Sequence, residues 1–128
     1  MSCVLKLHLL EFDQINFKRL GSQNNNELEF SFSVSLGTNM KKPEIKKVSV
    51  GITGDKADEY HFEIVASGYF SYEGDVGDDI IRQNAVAIVM PYVRSEVSIL
   101  TAQPGIDPVV LPPFNIIEML GGNSKNII

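Results

Sequence analysis

The sequence predicts an α+β fold: a four-stranded antiparallel sheet, a long proline-kinked helix and a short C-terminal helix, in one domain spanning 1–128. Three observations predict it. Apolar and polar residues alternate strictly through much of the first half. The apolar spacing changes to a helical one beyond Asp79. Proline then punctuates the segment from Pro104 to Pro113, which cannot continue a helix.

The opening "VLKLHLLEF" puts Leu5, Leu7 and Leu9 on one face, with Val4, Lys6, His8 and Leu10 on the other. After a break near Asp13–Gln14 the strand continues through Ile15 and Phe17. "ELEFSFSVSL" is the clearest strand, with Leu28, Phe30, Phe32, Val34 and Leu36 apolar and Glu27, Glu29, Ser31, Ser33 and Ser35 polar. One apolar and one wet face suit an antiparallel sheet. "IKKVSVGIT" aligns Val48, Val50 and Ile52. "YHFEIVASGYFSY" places Tyr60, Phe62, Ile64, Ala66, Gly68, Phe70 and Tyr72 together, with a bulge or bend expected near Ser67–Gly68. Turn-rich stretches at Gly21–Asn26, Gly37–Glu44 and Thr53–Glu59 have hairpin lengths, which makes a four-stranded meander the simplest sheet.

Asp78 and Asp79 stand where the positive end of a helix dipole favours acids. The helix then runs to about Ala102, with Val93, Val97 and Leu100 in one stripe and Pro91 as a kink or restart. "AVAIVM" is apolar on every side, so burial on more than one face is expected. A short helix from Asn115 to Leu120 would stop at Gly121–Gly122, and "NSKNII" reads as frayed. An amphipathic sheet and an all-round apolar helix exceed what one small domain hides, which predicts a homo-oligomer built on the helix.

Hydrophobic residues at 44% and charged residues at 21% describe a globular chain. A net charge of −5 argues against nucleic acid and for a basic partner. The single Cys3 excludes an internal disulfide and any multi-cysteine metal site. No apolar run approaches the ~20 residues of a membrane span, and the opening lacks a signal peptide's continuous apolar core. A soluble, cytoplasmic protein without a cofactor or metal is expected.

Candidates for catalysis are few. His8 and His61 fall on strands without metal-ligand spacing, so a solvated sheet face is the plainer reading. "GITGDK" lacks the full phosphate-loop spacing and reads as a hairpin turn; "GDVGDD" lacks the glutamate of a calcium loop. Tyr92, Arg94 and Glu96 lie close on the helix, but residues two apart point away from each other. Only Tyr92 and Glu96 share a face, and a polar helix stripe explains them better than a catalytic dyad. No enzyme is expected.

The segment from Gly68 to Met119 resembles SecB, the bacterial protein-export chaperone family. The resemblance lies in Met90-Pro91-Tyr92-Val93-Arg94, in Gly105-Ile106-Asp107-Pro108 and in Leu111-Pro112-Pro113-Phe114-Asn115-Ile116. The opening strand with Ile15-Asn16-Phe17 is similar to the family's start. It implies ATP-independent holding of unfolded precursor proteins, delivery to the translocase motor SecA, and a dimer or dimer of dimers. The alternative is a dedicated chaperone for one partner, such as an antitoxin.

For client binding the resemblance points to Met40, Met90, Leu111, Phe114, Ile117 and Met119, and for the partner surface to Glu63 and His61. The oligomer contact is expected at Val86, Val89, Val93 and Val97. Two departures stand out. The C-terminal helix is short and no acidic tail follows, which implies less cover over the groove. Gln14 and Lys18 stand where acids are usual, and His61 replaces an apolar residue.

Overall fold

The computed structural model describes residues 5–38, 41–113 and 125–127. In chain order the elements are β1 (Leu5–Arg19), β2 (Leu28–Thr38), β3 (Lys46–Lys56), β4 (Tyr60–Tyr72), α1 (Asp78–Thr101) and β5 (Lys125–Ile127). The sheet is antiparallel throughout, in the order β1-β4-β3-β2-β5. Only β2, β3 and β4 form the expected meander. β1 crosses over to pair with β4, giving a Greek-key order.

The asparagine-rich stretch explains the crossing. It is tied to the β3–β4 turn and does not reverse the chain as a hairpin. The amides of Leu20 and Gly21 donate to the Glu59 carbonyl at 2.8 and 3.2 Å. Asn24 Nδ2 and Asn26 Nδ2 both donate to the Ala57 carbonyl, at 2.9 and 2.7 Å. Asn24 N donates to Glu59 Oε1 at 2.9 Å. A Cβ on Gly21 would overlap the Asp58 carbonyl, so glycine is needed at the point of closest approach.

The β3–β4 turn is shorter than the sequence suggests. "GITGDK" lies within β3, and only residues 57–59 turn, with Asp58 in the left-handed region at φ 62°. Gly54 has a packing reason to be small: a Cβ there would run into the Phe62 ring.

β4 is regular against β3, so of the bulge or bend expected near Ser67–Gly68 the bulge is absent. The irregularities lie on β1, between Leu7 and Leu9 and between Phe12 and Gln14. The second coincides with the expected break at Asp13–Gln14. The first changes the face assignment: Leu10 and Phe12 stand opposite Gly68 and Ala66 on the core side, while Leu9 is opposite Tyr69 and 52% exposed. One inserted residue is enough to exchange the faces of a strand.

α1 runs unbroken through Pro91. Ile81, Ala85, Val89, Val93, Val97 and Thr101, each four apart, are fully buried, with Val86 and Met90 beside them. From Ala85 to Val97 the apolar ones share one core cluster with Val48, Val50, Ile52, Phe62, Ile64, Ala66 and Phe70. Each such aliphatic side chain contributes roughly 1.5–3 kcal/mol by leaving water. Gly68 lets the helix approach: a Cβ there would stand 2.6 Å from the Phe70 ring and 3.1 Å from Val89 Cγ2. The expectation of an all-round buried helix does not hold within one chain. The other side carries exposed Ile80, Tyr92 and Ile99 among polar residues.

The short helix expected at Asn115–Leu120 lies outside the described residues. The last stretch, expected to fray, instead places Lys125, Asn126 and Ile127 opposite Ser31, Phe30 and Glu29 of β2.

Candidate polypeptide-binding surfaces

The proline-rich segment after α1 is held extended along the helix by three of its polar side chains. Arg94 donates to the Leu111 carbonyl through Nη2 at 3.0 Å and Nε at 3.3 Å. Ser98 Oγ donates to the Val109 carbonyl at 2.9 Å. Thr101 Oγ1 accepts from Val109 N at 2.8 Å and donates to Val97 O at 2.8 Å. Positions 94, 98 and 101 share one helical face. These hydrogen bonds satisfy the backbone of a strand-like segment that has no sheet beside it. Arg94 is thereby occupied with main chain. Tyr92 points to the exposed side, 47% exposed.

A second anchor sits at the turn before this segment. Gly105 has φ 81°, and its carbonyl accepts from Arg19 Nη2 at 3.0 Å, which ties the end of β1 to the turn. Ile106 is buried beneath it. A shallow groove of about 240 Å³ remains between helix and segment, lined by Pro91, Arg94, Ser95, Ser98, Val110 and Leu111.

Of the six residues expected to contact a client, Met40, Phe114, Ile117 and Met119 lie outside the described residues. Met90 and Leu111 are 4% and 1% exposed and belong to the core cluster. The structure brings Met90 and Leu111 into the same cluster, as packing and not as open surface. The four valines expected at an oligomer contact, Val86, Val89, Val93 and Val97, are all fully buried on the chain's own sheet. Sequence periodicity finds the apolar stripe but cannot say which body covers it. The opposite side of α1 leaves Ile80, Tyr92 and Ile99 exposed.

The apolar residues left open are therefore others. Phe12 and Ile15 on the core side of β1 are 37% and 43% exposed, since β1 is the sheet edge. Leu20 and Val110 add 53% and 78%. The signal for Phe12 was hidden by the bulges, which disrupt alternation. The signal for Val110 was its place beside a buried Leu111 in an extended segment, where neighbours point to opposite sides.

The outer sheet face is polar. His61 Nδ1 meets Asp55 Oδ1 at 2.5 Å, and Glu63 is half-buried between Thr53 of β3 and Asn16 of β1. His8 Nε2 bonds Ser71 Oγ at 2.7 Å. Asp13 accepts from Ser67 Oγ and lies 3.8 Å from Lys47 Nζ. The Tyr69 phenol, and then Asp13, hold Lys47 above the ordinary lysine pKa. His61 and Glu63 do share this face, but among paired charges of both signs and not an acidic field.

At the crossover end, Glu59 is fully buried beside Lys56, with Nζ 2.8 Å from Oε1. Burial would raise its carboxyl, but the Lys56 ammonium, the Asn24 amide and the Arg19 charge together hold it below the usual carboxylate value. Burial, with Glu59 and Asp107 nearby, pushes the Tyr60 phenol up to about 12. This cluster fixes the crossover and holds no free nucleophile. Among the described residues, no three metal-ligating side chains gather and no helix is long and apolar enough to cross a membrane.

A Greek-key antiparallel sheet backed by one long helix, with a proline-rich segment returning along it, is a SecB-like fold. Among solved structures, the chain is similar to the Mycobacterium tuberculosis SecB-like chaperone Rv1957, determined in complex with a ChAD peptide from the Rv1956 HigA1 antitoxin. The TM-score is 0.71 at 13% identity, over 87% of this chain and 90% of that one. A Streptococcus agalactiae protein of unknown function has the same fold, with TM-score 0.56 and 13% identity over 89% of this chain and all of that one. By sequence, 46 residues are 48% identical to the uncharacterized protein MJ0357 of Methanocaldococcus jannaschii, a match over 33% of this chain and 30% of that protein. No sequence-family profile matches the chain.

Proposed function

We propose that this protein is an ATP-independent chaperone of the cytoplasm that holds unfolded or precursor polypeptides on exposed apolar surface. One observation carries the reading: a well-packed core coexists with large apolar side chains left open at Phe12, Ile15, Tyr92, Ile99 and Val110. Such residues, spread over a strand edge, a helix face and an extended segment, suit a loosely specific partner surface. Arg94, one of the three helix residues weighed for catalysis, is engaged in holding main chain together with Ser98 and Thr101, which supports a non-enzymatic role.

The expected result is suppression of aggregation of a reduced, unfolded substrate without ATP at near-stoichiometric ratios, read by light scattering. Unchanged aggregation at several-fold excess of the protein overturns the reading. Delivery of clients to SecA is a narrower part of the proposal, through the face carrying His61 and Glu63. The mixed charge of that face gives it less support than the holding role has.

A homo-oligomer joined through the exposed side of α1 accompanies the proposal. Tyr92→Glu combined with Ile99→Glu is expected to reduce the mass in solution to that of a smaller species while leaving the circular dichroism spectrum unchanged. An unaltered mass removes this face from the assembly.

The second reading is a chaperone dedicated to one partner. The antitoxin peptide bound to the similar mycobacterial protein favours it. Capture from the native host separates the two: one dominant polypeptide supports the dedicated role, and a broad set of nascent chains supports the general one.

A further inference from the structure

We propose that Arg19 is a positioning residue for client binding: its guanidinium ties the proline-rich segment to the sheet, so that the open apolar residues of both keep one fixed arrangement. The proposal rests on the polypeptide-holding reading and names a residue that controls it through main chain.

Arg19 ends β1 and stands opposite Tyr60. Alternation from Phe17 puts its side chain on the side of the sheet that carries α1. Both of its hydrogen bonds go to main-chain carbonyls: Nε donates to Gly21 O at 3.1 Å and Nη2 to Gly105 O at 3.0 Å. Gly21 lies where the chain leaves β1 for the crossover, and Gly105 lies in the turn between α1 and the returning segment. A planar guanidinium presents its donors in a rigid fork, so one side chain fixes both loops at once.

Gly105 is shaped for this contact. Its φ of 81° lies in the left-handed region, and a Cβ there would stand 3.3 Å from both Nη1 and Nη2 of Arg19. The guanidinium therefore lies close against the bare Cα, and glycine meets both the backbone conformation and the close approach.

The segment needs such a tie because it has no ladder of its own. Its inner hydrogen bonds run to Arg94, Ser98 and Thr101 of α1, and Pro104, Pro108 and Pro112 have no amide to add. Among the described residues, the bond from Arg19 to Gly105 is the one hydrogen bond between β1 with its crossover and this segment. Phe12, Ile15 and Leu20 are exposed on one side of that bond, and Val110 on the other. Without it the two groups lose their mutual placement. The binding arrangement is then present in only a fraction of molecules, and apparent affinity falls by that fraction.

The test follows binding of a fluorescein-labelled, reduced and carboxymethylated lactalbumin, a chain that stays unfolded, by stopped-flow anisotropy. Wild type is compared with Arg19→Met, which keeps the apolar stem and removes the donors, and with Gly105→Ala, which crowds the contact from the other side. If the competent arrangement falls to between roughly a tenth and a third of molecules, binding weakens about three- to tenfold. The loss is expected in the association rate with the dissociation rate unchanged, because the client leaves from the same arrangement. A raised dissociation rate with an unchanged association rate would make Arg19 a contact residue and overturn the positioning role. Arg19→Lys is expected to recover only part of the association rate, since an ammonium lacks the fork. Full recovery would mean that charge alone suffices, against the forked tie. The double variant should bind no more weakly than the weaker single one, because both break one contact, and additive losses count against it. Hydrogen exchange reads the segment itself. The Ile106 amide, on Gln103 O, and the Val109 amide, on Thr101 Oγ1, should exchange faster in Arg19→Met while circular dichroism stays unchanged. Unaltered exchange at both amides overturns the anchoring. Equal affinity of all variants overturns the proposal and leaves the holding function in place. No binding by the wild type overturns the holding reading, and this proposal with it.

Discussion

Replacing Glu59 with alanine is expected to destabilise the fold by about 3–5 kcal/mol, the cost of leaving one partner of a buried ion pair alone. The Lys56 side chain is 12% exposed and would lose the carboxylate 2.8 Å from its Nζ. The Asn24 amide would lose its acceptor as well. The crossover from β1 to β2 is anchored on Ala57 and Glu59, so its anchoring weakens with the pair. Thermal denaturation should show a fall in Tm on the order of 10–20 °C. Glu59→Gln keeps an acceptor for Asn24 and should lose less. The pH dependence gives the sign check. A carboxyl held below its unfolded value contributes its full stability above that unfolded value, and loses it as pH falls through the lower, folded one. The stability gap between wild type and Glu59→Gln should therefore be widest near neutral pH and close in strong acid. A gap that stays constant across that range would show that Glu59 folds uncharged.

The strands and the helix were legible in the sequence because each buries one face, and one-sided burial writes a period into the residues. β4 runs from Tyr60 to Tyr72 as its alternation indicates, and α1 starts at the acidic pair Asp78–Asp79. Strand order was not legible. Nothing in the alternation of β1 says whether β2 or β4 lies beside it; that choice rests on hydrogen bonds from Leu20, Gly21, Asn24 and Asn26 to a turn some thirty residues away. An asparagine run reads as a hairpin from local turn chemistry, and here the same side chains dock a crossover. The bulges of β1 have the same character. They appear as a flaw in periodicity, and only the register against β4 shows that Leu10 and not Leu9 faces the core.

The surfaces were harder to read than the fold because an apolar pattern marks burial without naming what does the burying. Val86, Val89, Val93 and Val97 are covered by their own sheet. The residues that stay open on α1, Ile80, Tyr92 and Ile99, sit among Arg82, Asn84 and Glu96 and form no stripe of comparable density. Arg94, Ser98 and Thr101 illustrate the complementary difficulty. Their spacing is visible, but their role depends on a segment that returns along the helix only after the turn at Gly105.

That returning segment supplies the second large effect. Leu111→Ala is expected to cost about 2–5 kcal/mol, since the side chain is 1% exposed within the core and its removal leaves a cavity beside α1. Val110→Ala, one residue away and 78% exposed, should change stability by about 0.5 kcal/mol or less. The two substitutions remove apolar atoms from opposite sides of one extended strand, so they separate packing from contact. Urea denaturation should show a lowered midpoint for Leu111→Ala alone. In the aggregation assay, run at a temperature where both variants are folded, the larger loss should fall on Val110→Ala. The reverse pattern, with Leu111→Ala stable but weak in holding clients, would mean that Leu111 faces the client and that the segment turns outward when one binds. The hydrogen bond from Val109 N to Thr101 Oγ1 reports on that turn directly. If the segment stays docked, the Val109 amide keeps its protection from hydrogen exchange in the presence of client.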